Sequence, residues 1–120
     1  ELLKHVEFTG YQASIDDIYS KIDILICPFY RDSFPYSALE ALSYGVPVVI
    51  SGTVGAKDIL VDGAGIVVDN LTPDRLCDTL INLTTADLKK MNEIIVQKQP
   101  IMQIEAMSKQ IETDCYGWNL

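Results

Sequence analysis

Basic residues are scarce in this chain, and their scarcity excludes one large class of partner. Lys and Arg together number 9 against 17 Asp and Glu, and the formal net charge is −8. Proteins that bind nucleic acid place clustered Lys and Arg against the phosphate backbone, and no run of these residues occurs here. We therefore expect no nucleic acid partner. A phosphorylated small molecule remains a suitable ligand, because backbone N–H groups at a helix N-terminus can bind phosphate.

Histidine, cysteine and long apolar runs are scarce as well. The one His and three Cys residues lie far apart with no CxxC spacing, so we expect no metal site. No apolar run reaches the roughly 18–20 residues that cross a bilayer, so no transmembrane segment is expected. A P-loop, a GxGxxG motif and a Ser/His/Asp set are also missing. Cys27 lies in an apolar run and is expected in the core, and unpaired cysteines favour the cytoplasm.

What is present is an alternation of apolar strands and amphipathic helices. Apolar runs predict strands at residues 6–9, 23–28, 46–51 and 65–68. Helices are predicted near residues 14–19, 33–44 and 57–61, and then from 72, over 84–98 and over 102–113. This order predicts an α/β fold, a doubly wound, Rossmann-like parallel sheet of about four strands. We expect one domain over residues 1–120, with a βα core at 6–70 and C-terminal helices at 71–120.

Capping residues and helix breakers mark the expected helix ends. Ser14 has an acid three residues later and is predicted to begin a helix. Thr72 precedes a proline, a typical N-cap followed by Pro at the first helical position. Gly45 is predicted just past the end of the second helix. Pro100 is predicted to end the helix that begins near residue 84.

Residues 27–51, CPFYRDSFPYSALEALSYGVPVVIS, contain the candidate site. Strand end, loop, helix and strand make one βαβ unit, and such units bind ligands at the carboxyl ends of the strands. The unit carries Asp32 and Glu40, eight positions apart. Glu40 is flanked by apolar residues, so its carboxylate needs a partner, and the hydroxyls of a bound ribose would serve. The alternative is that Asp32 is there because the helix dipole favours an acid at the N-terminus, and that Glu40 is a solvated surface residue. The spacing of the two acids alone leaves both interpretations open.

This stretch and its flanks resemble the nucleotide-sugar-binding half of the group 1 glycosyltransferases, retaining enzymes of the GT-B fold. The hallmark of that family is an acid, seven residues and a second acid, then Ala and a small–Gly–x–Pro–Val strand entry. Here it reads D-SFPYSAL-E-AL-SYG-VPVV. The resemblance covers roughly residues 6–83.

The resemblance implies a transferase with no cofactor. It would move a hexosyl unit from a nucleoside diphosphate sugar to a glycan or lipid-linked acceptor, as in polysaccharide biosynthesis. The setting would be the cytoplasm or the inner face of the membrane. We expect the chain to be truncated on its N-terminal side, without the domain that binds the acceptor, and to be inactive alone. The alternative function is a non-catalytic, glycosyltransferase-like scaffold or interaction domain.

The resemblance also implies roles for individual residues. Glu40 matches the acid that accepts hydrogen bonds from the donor's ribose. Asp32 matches the catalytic acid that contacts the transferred sugar near its reacting carbon. The remaining substrate-binding positions match the helix entry, whose main-chain amides meet sugar and phosphate, and the loop that approaches the base: Phe34, Pro35, Tyr36 and Ser37, and Gly10 and Tyr11.

The strand order of this fold raises a further expectation. The usual order is 3-2-1-4-5-6, and the predicted strands at residues 6–9 and 23–28 would be strands 3 and 4. The two strands that should lie between them are missing from the sequence. We therefore expect a gap, a rearranged pairing of residues 6–9, or another chain in that space.

Overall fold

Three short parallel strands form the centre of the structure, a computed structural model that describes residues 1–28, 36–52, 60 and 63–102. A 3₁₀ helix at Leu2–His5 comes first. The other elements, in chain order, are α1 (Ile15–Tyr19), β1 (Leu25–Cys27), α2 (Tyr36–Ser43), β2 (Val48–Ser51), β3 (Gly65–Val68), α3 (Pro73–Ile81) and α4 (Thr85–Met102).

The sheet has the order β1-β2-β3, and both strand pairs are parallel. Leu25 lies opposite Val48, and Val48 lies opposite Gly65. All four residues of β2 are buried, as expected of a central parallel strand covered on both faces. The α/β class and the parallel, Rossmann-like sheet are thereby confirmed.

The predicted strand at residues 6–9 is wrong. Val6 has extended backbone angles, but within the described ranges the segment pairs with no strand. Val6 and Phe8 are 53% and 87% exposed. A strand is stabilised by ladder hydrogen bonds and by a covered face, and here the described residues supply neither. The described sheet therefore has three strands rather than about four, and the rearranged pairing is not seen.

The core lies where α2 and α4 meet the sheet. Ile50 of β2 and Ile95 of α4 are fully buried. The residues that α2 buries lie on one face of the helix, where positions three or four apart are neighbours: Ala38, Leu39, Ala41 and Leu42. In the ranges that the structure describes, no helix is both long and apolar enough to cross a membrane.

The predicted helix ends are mostly confirmed. Ser14 accepts a hydrogen bond from the Asp17 amide at 3.4 Å, and Thr72 caps α3. Gly45 has a φ of 77°, its amide donates to the Leu42 carbonyl at 3.0 Å, and the next amide donates to the Ala41 carbonyl at 2.9 Å. This is the Schellman arrangement, which satisfies carbonyls left open at the helix end.

The prediction for Pro100 is wrong, because α4 continues to Met102. A proline removes its own N–H and crowds the carbonyl four residues earlier, but the residues after it keep their N–H groups and can still donate to carbonyls one turn earlier. The helix predicted at residues 102–113 lies outside the described residues, apart from Met102. So does the helix predicted at 57–61, of which only residue 60 is described, in a bend.

Thr84 and Asp87 begin α4 with a reciprocal capping box. The Asp87 amide donates to Thr84 Oγ1 at 3.2 Å, while the Thr84 amide and hydroxyl donate to Asp87 Oδ2 at 2.9 and 2.6 Å. These bonds, the hydroxyl foremost, hold the pKa of Asp87 below its ordinary value of 3.8.

The capping box makes the stability of the chain pH-dependent. A carboxyl with a depressed pKa contributes stability that is fully present above about pH 3.8 and is lost as the pH falls through its folded pKa. We expect Thr84→Ala to lower the urea midpoint slightly at pH 7, and the difference from the unsubstituted chain to shrink towards pH 2. Thr85→Ala, one residue along, serves as the control. A difference of constant size across this pH range would contradict the role of Asp87.

Candidate functional site

The first turn of α2 lies beside the carboxyl end of β1. Ser37 Oγ is 3.8 Å from the sulfur of Cys27, the last residue of β1. Cys27 is 2% exposed, so the prediction that it belongs to the core is confirmed. The N-terminus of α2 therefore faces the edge of the sheet where α/β proteins bind ligands.

Glu40 lies one turn further along α2, and its side chain is half-buried. The Tyr19 hydroxyl donates to Glu40 Oε2 at 3.0 Å and also lies 3.2 Å from the Ser37 carbonyl oxygen. An ionised carboxylate has about four acceptor positions. Tyr19 therefore satisfies part of this carboxylate and leaves acceptor capacity for hydroxyl donors of a ligand.

Tyr19 is itself firmly held. It is 7% exposed, and its ring stacks on that of Tyr44 with centroids 5.3 Å apart and planes at 26°. Burial, the hydrogen bond to Glu40 and the Glu40 charge raise the pKa of Tyr19 to about 12. The phenol therefore stays protonated, and able to donate, throughout the neutral range.

Tyr44 connects the other end of α2 to α1. Its hydroxyl donates to Asp16 Oδ1, and this hydrogen bond is the main reason that the pKa of Tyr44 is raised. The two stacked rings, which we call the tyrosine pair (Tyr19 and Tyr44), thus join α1 to α2 at two points. One of these points is the candidate site residue Glu40.

The remaining predicted site residues are only partly brought to this site. Tyr36, 67% exposed, begins α2, and Ser37 follows it. Gly10 and Tyr11 lie in the segment that forms no strand, and Tyr11 is 93% exposed, so its ring packs against almost nothing. Asp32, Phe34 and Pro35 lie outside the described residues.

Sequence reasoning missed Tyr19 as a site residue. Nothing in the sequence indicated that its hydroxyl reaches Glu40, 21 positions away. Such a contact depends on how α1 packs against α2.

Within the described part of the chain, no group of His, Cys, Asp and Glu side chains could hold a metal ion.

A cavity of about 620 Å³ lies at the opposite edge of the sheet. Asp23 and Pro47 line it and come just before β1 and β2, so the cavity opens at the amino ends of these strands. Lys89 and Asn92 of α4 form another wall. Glu40 is not in its lining, but both members of the tyrosine pair are, and Tyr19 of that pair donates to Glu40.

Comparison with known proteins tests the family resemblance. Residues 1–86 match the family model described as Glycosyl transferases group 1. A D-inositol 3-phosphate glycosyltransferase of Corynebacterium jeikeium (strain K411) is 40% identical over 72 residues, which are 58% of this chain and 17% of that protein. One of Corynebacterium diphtheriae is 35% identical over 71 residues, with the same shares. The chain thus spans 17% of the length of these curated relatives. Because the family model matches well over half of its residues, the chain belongs to the group 1 glycosyl transferases.

Proposed function

We propose that the chain supplies part of the donor-binding site of a retaining glycosyltransferase. The enzyme would transfer a hexosyl unit from a nucleoside diphosphate sugar to a glycan or lipid-linked acceptor. The observation that carries this proposal is the half-buried carboxylate of Glu40, one turn inside the helix that begins beside the carboxyl end of β1. Family membership supports the reaction class.

The proposal assigns a chemical partner to each part of the donor. The Glu40 carboxylate would accept hydrogen bonds from the vicinal ribose hydroxyls. Backbone amides of Phe34, Tyr36 and Ser37 would bind the diphosphate, whose negative charge grows as the glycosidic bond breaks, while Pro35 has no N–H to donate. Asp32 would orient the transferred sugar, and Gly10 and Tyr11 would approach the base.

The relatives suggest one acceptor to test. They are D-inositol 3-phosphate glycosyltransferases, so inositol 3-phosphate belongs in an acceptor panel beside glycans and lipid-linked sugars. The assay needs a protein of the relatives' length that contains this chain, since we expect the 120 residues alone to bind a nucleotide weakly and to catalyse little.

We predict that Glu40→Gln weakens nucleotide binding. The change keeps the size of the side chain but removes its charge, and hydrogen bonds to charged groups are stronger than neutral ones. Isothermal titration of the chain with UDP, GDP and ADP should show the preferred nucleotide bound about tenfold more weakly by the variant.

Glu93→Gln is the matched control for this experiment. Glu93 is an exposed residue of α4, so its substitution makes the same change of charge away from the candidate site. We expect this variant to bind as the unsubstituted chain does. Equal affinity of the chain and Glu40→Gln for the preferred nucleotide would overturn the ribose role.

A second function has one observation in its favour. The hydrogen bond from Tyr19 gives Glu40 a structural role between α1 and α2, as in a non-catalytic, glycosyltransferase-like scaffold. In that case Glu40→Gln would lower the melting temperature, and the unsubstituted chain would bind none of the three nucleotides. Transfer activity of the longer protein towards a panel of sugar nucleotides would exclude this alternative.

A further inference from the structure

We propose that Tyr19 is a positioning residue for donor binding, whose hydroxyl holds one oxygen of the Glu40 carboxylate so that the other is presented to the ribose. This inference rests on the proposed function, because it takes Glu40 as the ribose acceptor. It adds a residue from α1, outside the helix and loop that carry the predicted acids.

The first step of the argument is the position of the hydroxyl. It lies between two acceptors on successive turns of α2, Glu40 Oε2 at 3.0 Å and the Ser37 carbonyl oxygen at 3.2 Å. A hydroxyl carries one hydrogen, which these two acceptors share, while the short distances fix its oxygen against the helix. The Glu40 carboxylate is therefore held relative to the backbone of the first turn of α2.

The second step is the rigidity of the phenol. A tyrosine side chain has two main torsions, and here the ring is 7% exposed and stacked on Tyr44. The ring of Tyr19 consequently places its hydroxyl at a fixed point.

The third step is the effect on binding. A half-exposed Glu without a partner samples several rotamers, and a ligand that binds one of them must immobilise the side chain. A carboxylate already held by Tyr19 avoids this cost. The hydrogen bond occupies Oε2, so Oε1 is the oxygen that we expect the ribose hydroxyls to reach.

The test measures discrimination between a ribose and a sugar without its hydroxyls. UDP, GDP and ADP are titrated into the chain together with their 2′,3′-dideoxy counterparts. For the preferred base, we expect the unsubstituted chain to bind the ribose form about tenfold more tightly, which corresponds to about 1.4 kcal/mol. Tyr19→Phe, which keeps the buried ring, should reduce that ratio to about threefold or less.

Tyr44→Phe is the matched control. It removes the other hydroxyl of the tyrosine pair, whose partner is Asp16 and not Glu40. The discrimination ratio should stay near tenfold in this variant. The double variant Tyr19→Phe/Glu40→Gln should lose no more discrimination than Glu40→Gln alone, because both changes break the same interaction.

The outcomes separate this inference from the proposed function. Absence of discrimination in the unsubstituted chain would overturn the proposed function and this inference with it. Discrimination that is lost in Glu40→Gln but kept in Tyr19→Phe would overturn this inference alone.

A measurement without ligand covers the case in which Tyr19→Phe does not fold. The Tyr19 phenol can be titrated by NMR with ¹³C-labelled tyrosine in the unsubstituted chain and in Glu40→Gln. Burial, the largest cause of the raised pKa of Tyr19, stays in Glu40→Gln, whereas the contributions of Glu40 are removed, so we expect this pKa to fall part of the way from about 12 towards 10.0. An unchanged pKa would show that Glu40 does not hold this hydroxyl and would overturn the inference.

Discussion

Gly65→Ala should destabilise the chain by about 3 kcal/mol, at the upper end of what an added methyl group costs in a packed interior. A Cβ at Gly65 would lie 2.3 Å from the Val48 carbonyl oxygen and 3.1 Å from Leu60 Cδ2. The first of these contacts is with backbone, so no side-chain rotation relieves it. Gly65 and Val48 are partners in the parallel pair of β2 and β3, and β3 would have to move away from β2. Urea denaturation followed by circular dichroism measures the loss.

Gly10→Ala separates this steric effect from the general effect of replacing a glycine. Gly10 has a φ of 64°, but a Cβ there would meet nothing within 4 Å. Only the strain of a left-handed alanine remains, about 1 kcal/mol, and the surrounding segment pairs with no strand of the described sheet. If Gly65→Ala and Gly10→Ala lowered the free energy of unfolding by similar amounts, the result would contradict the close approach of β3 to β2.

The buried strands could be predicted well from the sequence. The bounds of β3 are those predicted, and β1 and β2 lie inside the predicted ranges but are two or three residues shorter. Continuous apolar runs are a strong signal in parallel sheets because both faces are covered. The strand ends are harder to predict, because flanking apolar residues can pack in the core without joining the hydrogen-bond ladder of the sheet. Val46 is an example, since it is buried but lies before β2 begins.

The segment at residues 6–9 shows where local pattern fails. It alternates Val6 and Phe8 with polar residues, as a half-buried strand does. A strand also needs a neighbour to complete its hydrogen bonds, and the pattern carries no information about whether one is present. The described structure has no strand beside this segment, and the side chains of Val6 and Phe8 are left exposed.

The candidate site was predictable in its chemistry but not in its contacts. The apolar neighbours of Glu40 indicated a carboxylate in need of a partner, and the structure supplies Tyr19. The identity of that partner depends on the approach of α1 to α2, which no local pattern encodes. The resemblance supplied the roles of Gly10 and Tyr11, whereas only the structure shows that Tyr11 is exposed.

The way α2 ends depends on Gly45, and Gly45→Ala should destabilise the chain by about 2–3 kcal/mol. About 1–2 kcal/mol comes from placing alanine at a φ of 77°. The rest comes from Asn92, whose Nδ2 donates to the Gly45 carbonyl at 2.7 Å and would lie 2.7 Å from the new Cβ. The amide must move, and the hydrogen bond between α4 and the end of α2 is weakened, about 1 kcal/mol.

A double-mutant cycle distinguishes the contact with Asn92 from backbone strain. Asn92→Ala alone should cost about 1 kcal/mol, the usual contribution of a hydrogen bond of this kind. In Gly45→Ala/Asn92→Ala the amide is absent, so the steric conflict is removed and the loss should be smaller than the sum of the two single losses. Strict additivity in urea denaturation would show that Gly45 is required for its backbone conformation alone. A smaller loss would show that the close packing of α4 on the end of α2 also requires a residue without a side chain at this position.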